Sequence, residues 1–175
     1  MRVIAGEFGS RRLKSLPGLA TRPTPDRLRE TLFDILGDRI QGAVFLDAYA
    51  GTGAVGIEAL SRGAARAIFL ERAKNAAKVI HENLKSLAVE ERAQVLTAPV
   101  LSWLARWSPD IVFLDPPYSR ESEYGNVLRL LSENPPPLVI AQHSVRLELA
   151  EQYGTLARKR LVKQGDNALS FYALR

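Results

Sequence analysis

Phe45-Leu46-Asp47-Ala48-Tyr49-Ala50-Gly51-Thr52-Gly53-Ala54-Val55-Gly56 decides how this chain is read. A short apolar run ends at Asp47, Gly51, Gly53 and Gly56 follow as G-x-G-x-x-G, and an apolar helical stretch begins at Ala54. Glycine permits the tight turn and close backbone approach of such a loop, and the head of the following helix offers N–H groups to an anionic part of a ligand. Between a strand and a helix, the pattern predicts a nucleotide-like cofactor. Glu71, 20 residues beyond Gly51, ends the next apolar run, where a carboxylate can accept both ribose hydroxyls. NAD and S-adenosylmethionine suit these features equally. Asp47 separates them: an acid inside the crevice repels a diphosphate and complements the cationic ammonium and sulfonium of S-adenosylmethionine. The plainer alternative is that Asp47 caps a turn.

Outward from this loop, apolar runs at 44–46, 67–70, 93–96, 111–114 and 138–141 read as buried parallel strands. Helical stretches near 54–62, 74–87, 100–107 and 123–132 separate them, a βαβ series with right-handed crossovers. Leu156 to Val162 and Leu169 to Leu174 flank Gln164-Gly165-Asp166-Asn167, an antiparallel hairpin that brings the expected doubly wound sheet to seven strands. Upstream, Thr24-Pro25-Asp26 reads as an N-cap, a proline at the first helical position and an acid in the first turn. Leu28, Leu32, Ile35 and Leu36 share a face of that helix, and Gly37 ends it. Residues 1–20 read as a short hairpin or extended arm, and the chain divides into an arm (1–25) and a catalytic domain (26–175).

The fourth apolar run leads directly into Asp115-Pro116-Pro117-Tyr118. Two prolines fix φ and remove two N–H donors, so this loop is a rigid platform of acceptors. An exocyclic amine of a nucleobase is a weak nucleophile because its lone pair is delocalised into the ring. If the Asp115 carboxylate and the Pro116 carbonyl accept its two hydrogens, the nitrogen can pyramidalise toward a methyl donor, with Tyr118 as a stacking face for the base. The plainer alternative is a proline turn with a core tyrosine.

The composition narrows the partner. The 175 residues include no cysteine and two histidines, so thiolate chemistry, disulfides and Cys-ligated zinc are excluded, and no nucleophile elbow accompanies the histidines. No apolar run reaches the ~18 residues of a membrane helix, and the first residues lack a signal peptide's apolar stretch, which predicts a soluble, cytoplasmic monomer. The net charge of +5 is concentrated at the start: Arg2, Arg11, Arg12, Lys14 and Arg22 face Glu7 alone within residues 1–25. Such a basic arm is the footprint expected for a phosphate backbone, with solvated surface charge the plainer alternative. Arg158, Lys159, Arg160 and Lys163 either extend that surface or form a solvated strand face. Trp103 and Trp107, spaced i, i+4 on a helix, read as packing residues, His81 as a surface residue, and His143 as a residue after the fifth strand near the crevice.

Together these residues resemble the class I S-adenosylmethionine-dependent methyltransferases that carry a D/N-P-P-Y/F motif and act on amino groups. Arg2-Val3-Ile4-Ala5-Gly6, Arg11-Arg12-Leu13, Arg22-Pro23-Thr24-Pro25-Asp26-Arg27-Leu28-Arg29-Glu30-Thr31-Leu32-Phe33 and the stretch from Asp47 to Gly63 are similar to the RsmD family, bacterial 16S ribosomal RNA guanine-N2 methyltransferases. The resemblance implies a Rossmann-like fold and S-adenosylmethionine as cofactor, with no metal, and one guanine of the small ribosomal subunit as substrate. It implies that Asp47, Gly51 and Gly53 line the methionine portion of the donor and Glu71 its ribose, with Ala48, Thr52 and Arg72 also among the cofactor-binding residues. Asp115, Pro116, Pro117 and Tyr118 would hold the amine, and Arg22 and Thr24 belong to an element that closes over the donor. Thr97-Ala98-Pro99 departs from relatives that place an acid there for the adenine amino group, so that contact stays unassigned.

Competing readings are adenine-N6 methylation of DNA, against which the chain has no room for a separate sequence-reading domain, and protein glutamine methylation, whose enzymes carry Asn in place of Asp115. An NAD-dependent oxidoreductase would leave Asp47 and D-P-P-Y unexplained. A non-catalytic RNA-binding module predicts that Asp115 is dispensable.

Overall fold

Runs of three or four largely apolar residues are too short for helices and too hydrophobic for surface strands, so they pair in a sheet covered on both faces. A computed structural model describes residues 1–16 and 25–175, with Tyr118 by its backbone alone. Parallel strands β1 (Val44–Asp47), β2 (Arg66–Leu70), β3 (Ala93–Leu96), β4 (Ile111–Leu114) and β5 (Leu138–Ser144) are joined to antiparallel β6 (Gln152–Tyr153), β7 (Leu156–Gln164) and β8 (Asn167–Leu174). Their order is β3-β2-β1-β4-β5-β8-β7-β6, the expected doubly wound arrangement with eight strands instead of seven. The additional strand is the two-residue β6, too short to show as a period in sequence. β7 and β8 meet at Gly165-Asp166, where Gly165 has φ of 59°, as the hairpin signal requires.

Helices α1 (Asp26–Leu36), α2 (Ala54–Ser61) and α3 (Lys74–Ser86) cover one face, and α4 (Val100–Trp103) and α5 (Ser122–Glu133) the other. Leu28, Leu32, Phe33 and Leu36 of α1 pack on Phe45, Phe113 and Ile140. Val127, Leu128 and Leu131 of α5 pack on Val112, Leu114 and Val139, whose side chains point the opposite way from the same strands. Gly56 permits the closest approach of helix to strand: a Cβ there would lie 2.3 Å from the ring of Phe69. Among the described residues, no helix is long and apolar enough to cross a membrane.

The N-terminal residues are built into this layer. Arg2 and Arg12 form an antiparallel bridge, while Val3, Phe8 and Leu13 are buried against Ile57, Leu60, Ile80 and Leu84. Their turn docks on α2, where Phe8 N–H donates to Ser61 Oγ at 2.9 Å and Glu7 N–H to Ser61 O at 2.7 Å.

Three local expectations change. Pro25 is the N-cap of α1, with an extended ψ of 135°, and precedes the first helical residue instead of occupying it; Thr24, expected as the cap, lies outside the described residues. The stretch 100–107 is not one helix: α4 gives way to a 3-10 turn at Leu104–Arg106 and extended backbone at Trp107, so the two tryptophans do not share a helical face. Both nevertheless pack against the α4–α5 core, with the Arg106 guanidinium 4.4 Å above the Trp103 ring. His143 lies inside β5, paired with Ala168, and not beyond the strand.

Candidate active site

In an open α/β sheet a crevice forms where successive crossovers leave in opposite directions, outside the carboxyl ends of the strands. Here β1 continues to β2 and β3 on one side, while β4 and β5 lie on the other, so the switch falls between β1 and β4. Asp47 pairs in register with Phe113, which brings the glycine loop after β1 beside the D-P-P-Y loop after β4.

Asp47 is almost completely buried, and its Oδ2 accepts the Gly56 N–H at 3.0 Å, capping α2 from the preceding strand. Burial pushes its carboxyl up to about 7, opposed by the Gly56 hydrogen bond and reinforced by the charges of Asp115 and Glu71. Such a carboxyl is a ready partner for a cation, because an adjacent positive charge would restore its ionised form. The two readings of Asp47, helix cap and cation partner, are therefore compatible.

The glycine loop turns through left-handed conformations at Gly51 (φ 56°) and Gly53 (φ 87°). Glu71 holds it from β2, its Oε2 accepting Gly51 N–H at 2.9 Å and its Oε1 accepting Ala73 N–H at 2.7 Å. Gly53 N–H donates to Ala50 O at 2.7 Å, so the loop amides of Gly51 and Gly53 are both committed within the loop's own framework. By helix geometry the amides of Ala54 and Val55 have no acceptor four residues back, and they stand at the head of α2 instead. Each carboxylate oxygen of Glu71 has capacity for a second donor, so its loop contacts leave room for hydroxyls. Ala48 is fully buried and its N–H joins the ladder to Phe113 O at 3.0 Å, whereas Arg72 is exposed.

Across the switch point Asp115 is half-buried, Pro116 is buried and Pro117 is exposed. The turn at Tyr118–Arg120 leads into α5, and Arg120 pairs with Glu123 at 2.7 Å. Glu123 also accepts the hydroxyl of Tyr49, from the loop after β1, so that loop is tied to the first turn of α5 across the crevice. Burial and the neighbouring Glu123 carboxylate both raise the Tyr49 hydroxyl's pKa, keeping it a donor.

These features fit S-adenosylmethionine: a buried carboxyl for its cationic end, a glycine turn where a Cβ on Gly51 would meet open space, and a glutamate after β2 with acceptor capacity to spare for hydroxyls. Arg22, like Thr24, lies outside the described residues, while Arg2, Arg11, Arg12 and Lys14 are all exposed. His143 leaves the candidate list: it is buried, its Nδ1–H donates to Ser144 O and its Nε2 accepts from Ser170 Oγ, both at 2.9 Å. Burial depresses its pKa, consistent with a neutral ring used up in these bonds.

Sequence reading missed two groups. Asn83, nearly inaccessible on α3, accepts Lys14 N–H at 2.7 Å and donates to Lys14 O at 3.1 Å and Thr52 O at 3.2 Å, fastening the N-terminal segment to the glycine loop. Glu58, fully buried on α2, accepts the amides of Ile4 and Ala5 and the Arg62 Nε–H at 2.8 Å, beside Arg29. A lone acid inside the otherwise apolar run Ala54–Ser61 was the available signal, since a buried charge must be paired.

A family model described as conserved hypothetical protein 95 matches residues 1–173. YlbH of Bacillus subtilis is 35% identical over 184 residues, covering 100% of both chains. The ribosomal RNA small subunit methyltransferase D of Escherichia coli K12 is 39% identical over 136 residues, covering 77% of this chain and 68% of its own length. The solved structure of Escherichia coli yhhF superposes with a TM-score of 0.87 at 31% identity, covering 100% of this chain and 98% of that one.

Proposed function

We propose, because the chain belongs to the RsmD family, that it methylates the exocyclic N2 of a guanine in 16S ribosomal RNA, on an assembled or partly assembled small subunit. The observation that carries this reading is the meeting of a buried Asp47 and the D-P-P-Y loop at one switch point. S-adenosylmethionine, when bound, supplies a methyl group on a sulfonium. Asp47 would hold the cationic end, Glu71 the ribose hydroxyls, and the glycine turn the close backbone contact.

On the other side, the Asp115 carboxylate and Pro116 carbonyl would accept the two amine hydrogens. That orients the nitrogen lone pair toward the crevice and takes up positive charge as it develops on nitrogen. Tyr118 is the stacking face assigned from sequence. Arg2, Arg11, Arg12 and Lys14 would engage the RNA backbone.

The test is transfer of labelled methyl from S-adenosylmethionine to under-methylated small subunits, naked 16S RNA and duplex DNA, followed by digestion to nucleosides. N2-methylguanosine from a ribosomal sample is the expected product. N6-methyladenosine from DNA, or no transfer to any of the three, would overturn the assignment.

A further inference from the structure

The outward face of α3 has the charge of a nucleic-acid contact that the N-terminal segment alone does not account for. Lys74, Lys78, His81 and Lys85 recur at helical spacing and are all exposed. An ordinary solvated helix offsets such lysines with acids three or four residues away. The one carboxylate on this face, Glu82, is instead engaged by Lys14 of the N-terminal segment at 2.9 Å and held below its usual pKa by that bond, with Lys78 adding to the effect. Among the described residues, Lys74, Lys78 and Lys85 form no ion pair.

The N-terminal segment lies along the same helix. Arg11 donates to Ser86 O at 2.8 Å, and Lys14 is bound at Asn83. Arg11, Lys14, Lys85, Lys78 and Lys74 thus form one track that ends at the start of α3, three residues beyond Glu71 and beside Thr97 at the end of β3. From Lys74 to Lys85 the helix rises ~16 Å, a length matched by several backbone phosphates.

We infer that the outward face of α3, through Lys74, Lys78 and Lys85, is a phosphate-backbone surface that continues the N-terminal basic segment to the mouth of the crevice and guides the substrate RNA to it. This rests on the ribosomal RNA reading above. A strand on this track approaches from the β3 edge, whereas Arg158, Lys159, Arg160 and Lys163 occupy β7 near the other end of the eight-stranded sheet.

The experiment is to measure binding of a labelled 16S RNA fragment, without methyl donor, to wild type and to Lys74→Gln/Lys78→Gln/Lys85→Gln at several salt concentrations. The expected result is at least tenfold weaker binding and a salt slope shallower by about 2, since each lost phosphate contact on single-stranded RNA removes ~0.7 from it. Unchanged affinity and slope in a variant that binds S-adenosylmethionine like wild type would overturn the inference. Lys159→Gln/Arg160→Gln/Lys163→Gln should move neither quantity, and a loss confined to that variant would transfer the surface to β7. Methyl transfer is scored separately: a wild-type protein that binds RNA through α3 yet methylates no guanine would refute the proposed reaction while leaving this surface standing.

Discussion

The glycine loop after β1 is pinned by side chains, Asp47 on Gly56, Glu71 on Gly51 and Asn83 on Thr52, whereas the D-P-P-Y loop after β4 carries two prolines that fix its φ angles. The difference follows from backbone entropy. Glycine allows the turn but resists being ordered, so neighbouring side chains must hold it; proline surrenders little on folding and needs fewer restraints. Side chains that support the first loop are therefore committed to structure as well as to the site.

The sharpest break would come at Asp115. Asp115→Ala should lower methyl transfer about 10³-fold, the scale of a lost charge-stabilising or proton-handling group, while S-adenosylmethionine affinity stays near wild type. Labelled transfer read beside calorimetric binding tests this, and a variant that keeps its activity would make the second loop a mere turn.

Asp47 carries the next largest effect, expressed through pH. Its folded carboxyl titrates at about 7 against an ordinary 3.8, so between those values the folded chain keeps a proton that the unfolded chain has released. Stability of the ligand-free protein should therefore fall as pH rises from about 4 to about 7, by roughly 4 kcal/mol at most, and then level off. Asp47→Asn keeps an oxygen for the Gly56 N–H and should abolish that slope in urea unfolding at pH 4.5 and 7.5. Cofactor affinity should show the opposite trend in wild type, rising toward pH 7 as the carboxylate ionises.

Asn83→Ala tests the pinning itself. Three part-buried hydrogen bonds vanish and leave Lys14 and Thr52 backbone groups without them, a loss of about 1–3 kcal/mol visible as a Tm several degrees lower. Amide exchange at Gly51–Gly53 should quicken in step, and unchanged exchange would mean that Glu71 suffices. The smallest effect is expected for Tyr49→Phe, which removes the tie between the glycine loop and α5: about 1 kcal/mol, seen as a kcat/KM lower by about tenfold or less with Tm nearly unchanged.

Much of this was legible beforehand because it rests on local rules. Short apolar runs identified β1 to β5, the Gly-Asp turn identified the β7–β8 hairpin, and the glycine pattern and D-P-P-Y each lay directly after a strand. The failures came where neighbours override local preference. The stretch 100–107 has helical spacing, yet the chain leaves the helix at Trp103, and both tryptophans still reach the α4–α5 core from irregular backbone. His143 looked like a crevice residue because the strand signal faded early, while pairing with β8 extends β5 through Ser144 and engages the ring with Ser170.

By itself the sequence determined the alternation of strands and helices, the left-handed turns that require Gly51 and Gly53, and the proline-stiffened acceptor loop, all properties of residues within a few positions of one another. Tertiary structure alone decided that Asp47, at the end of β1, and Asp115, just beyond β4, lie at the ends of adjacent strands, that Asn83 joins residue 14 to residue 52, and that Glu58 receives the amides of Ile4 and Ala5. Those contacts link positions tens of residues apart, and their partners are backbone groups that every residue except proline offers, so no side-chain pattern announces them; burial, which makes an unpaired polar group costly, selects them only once the chain is packed.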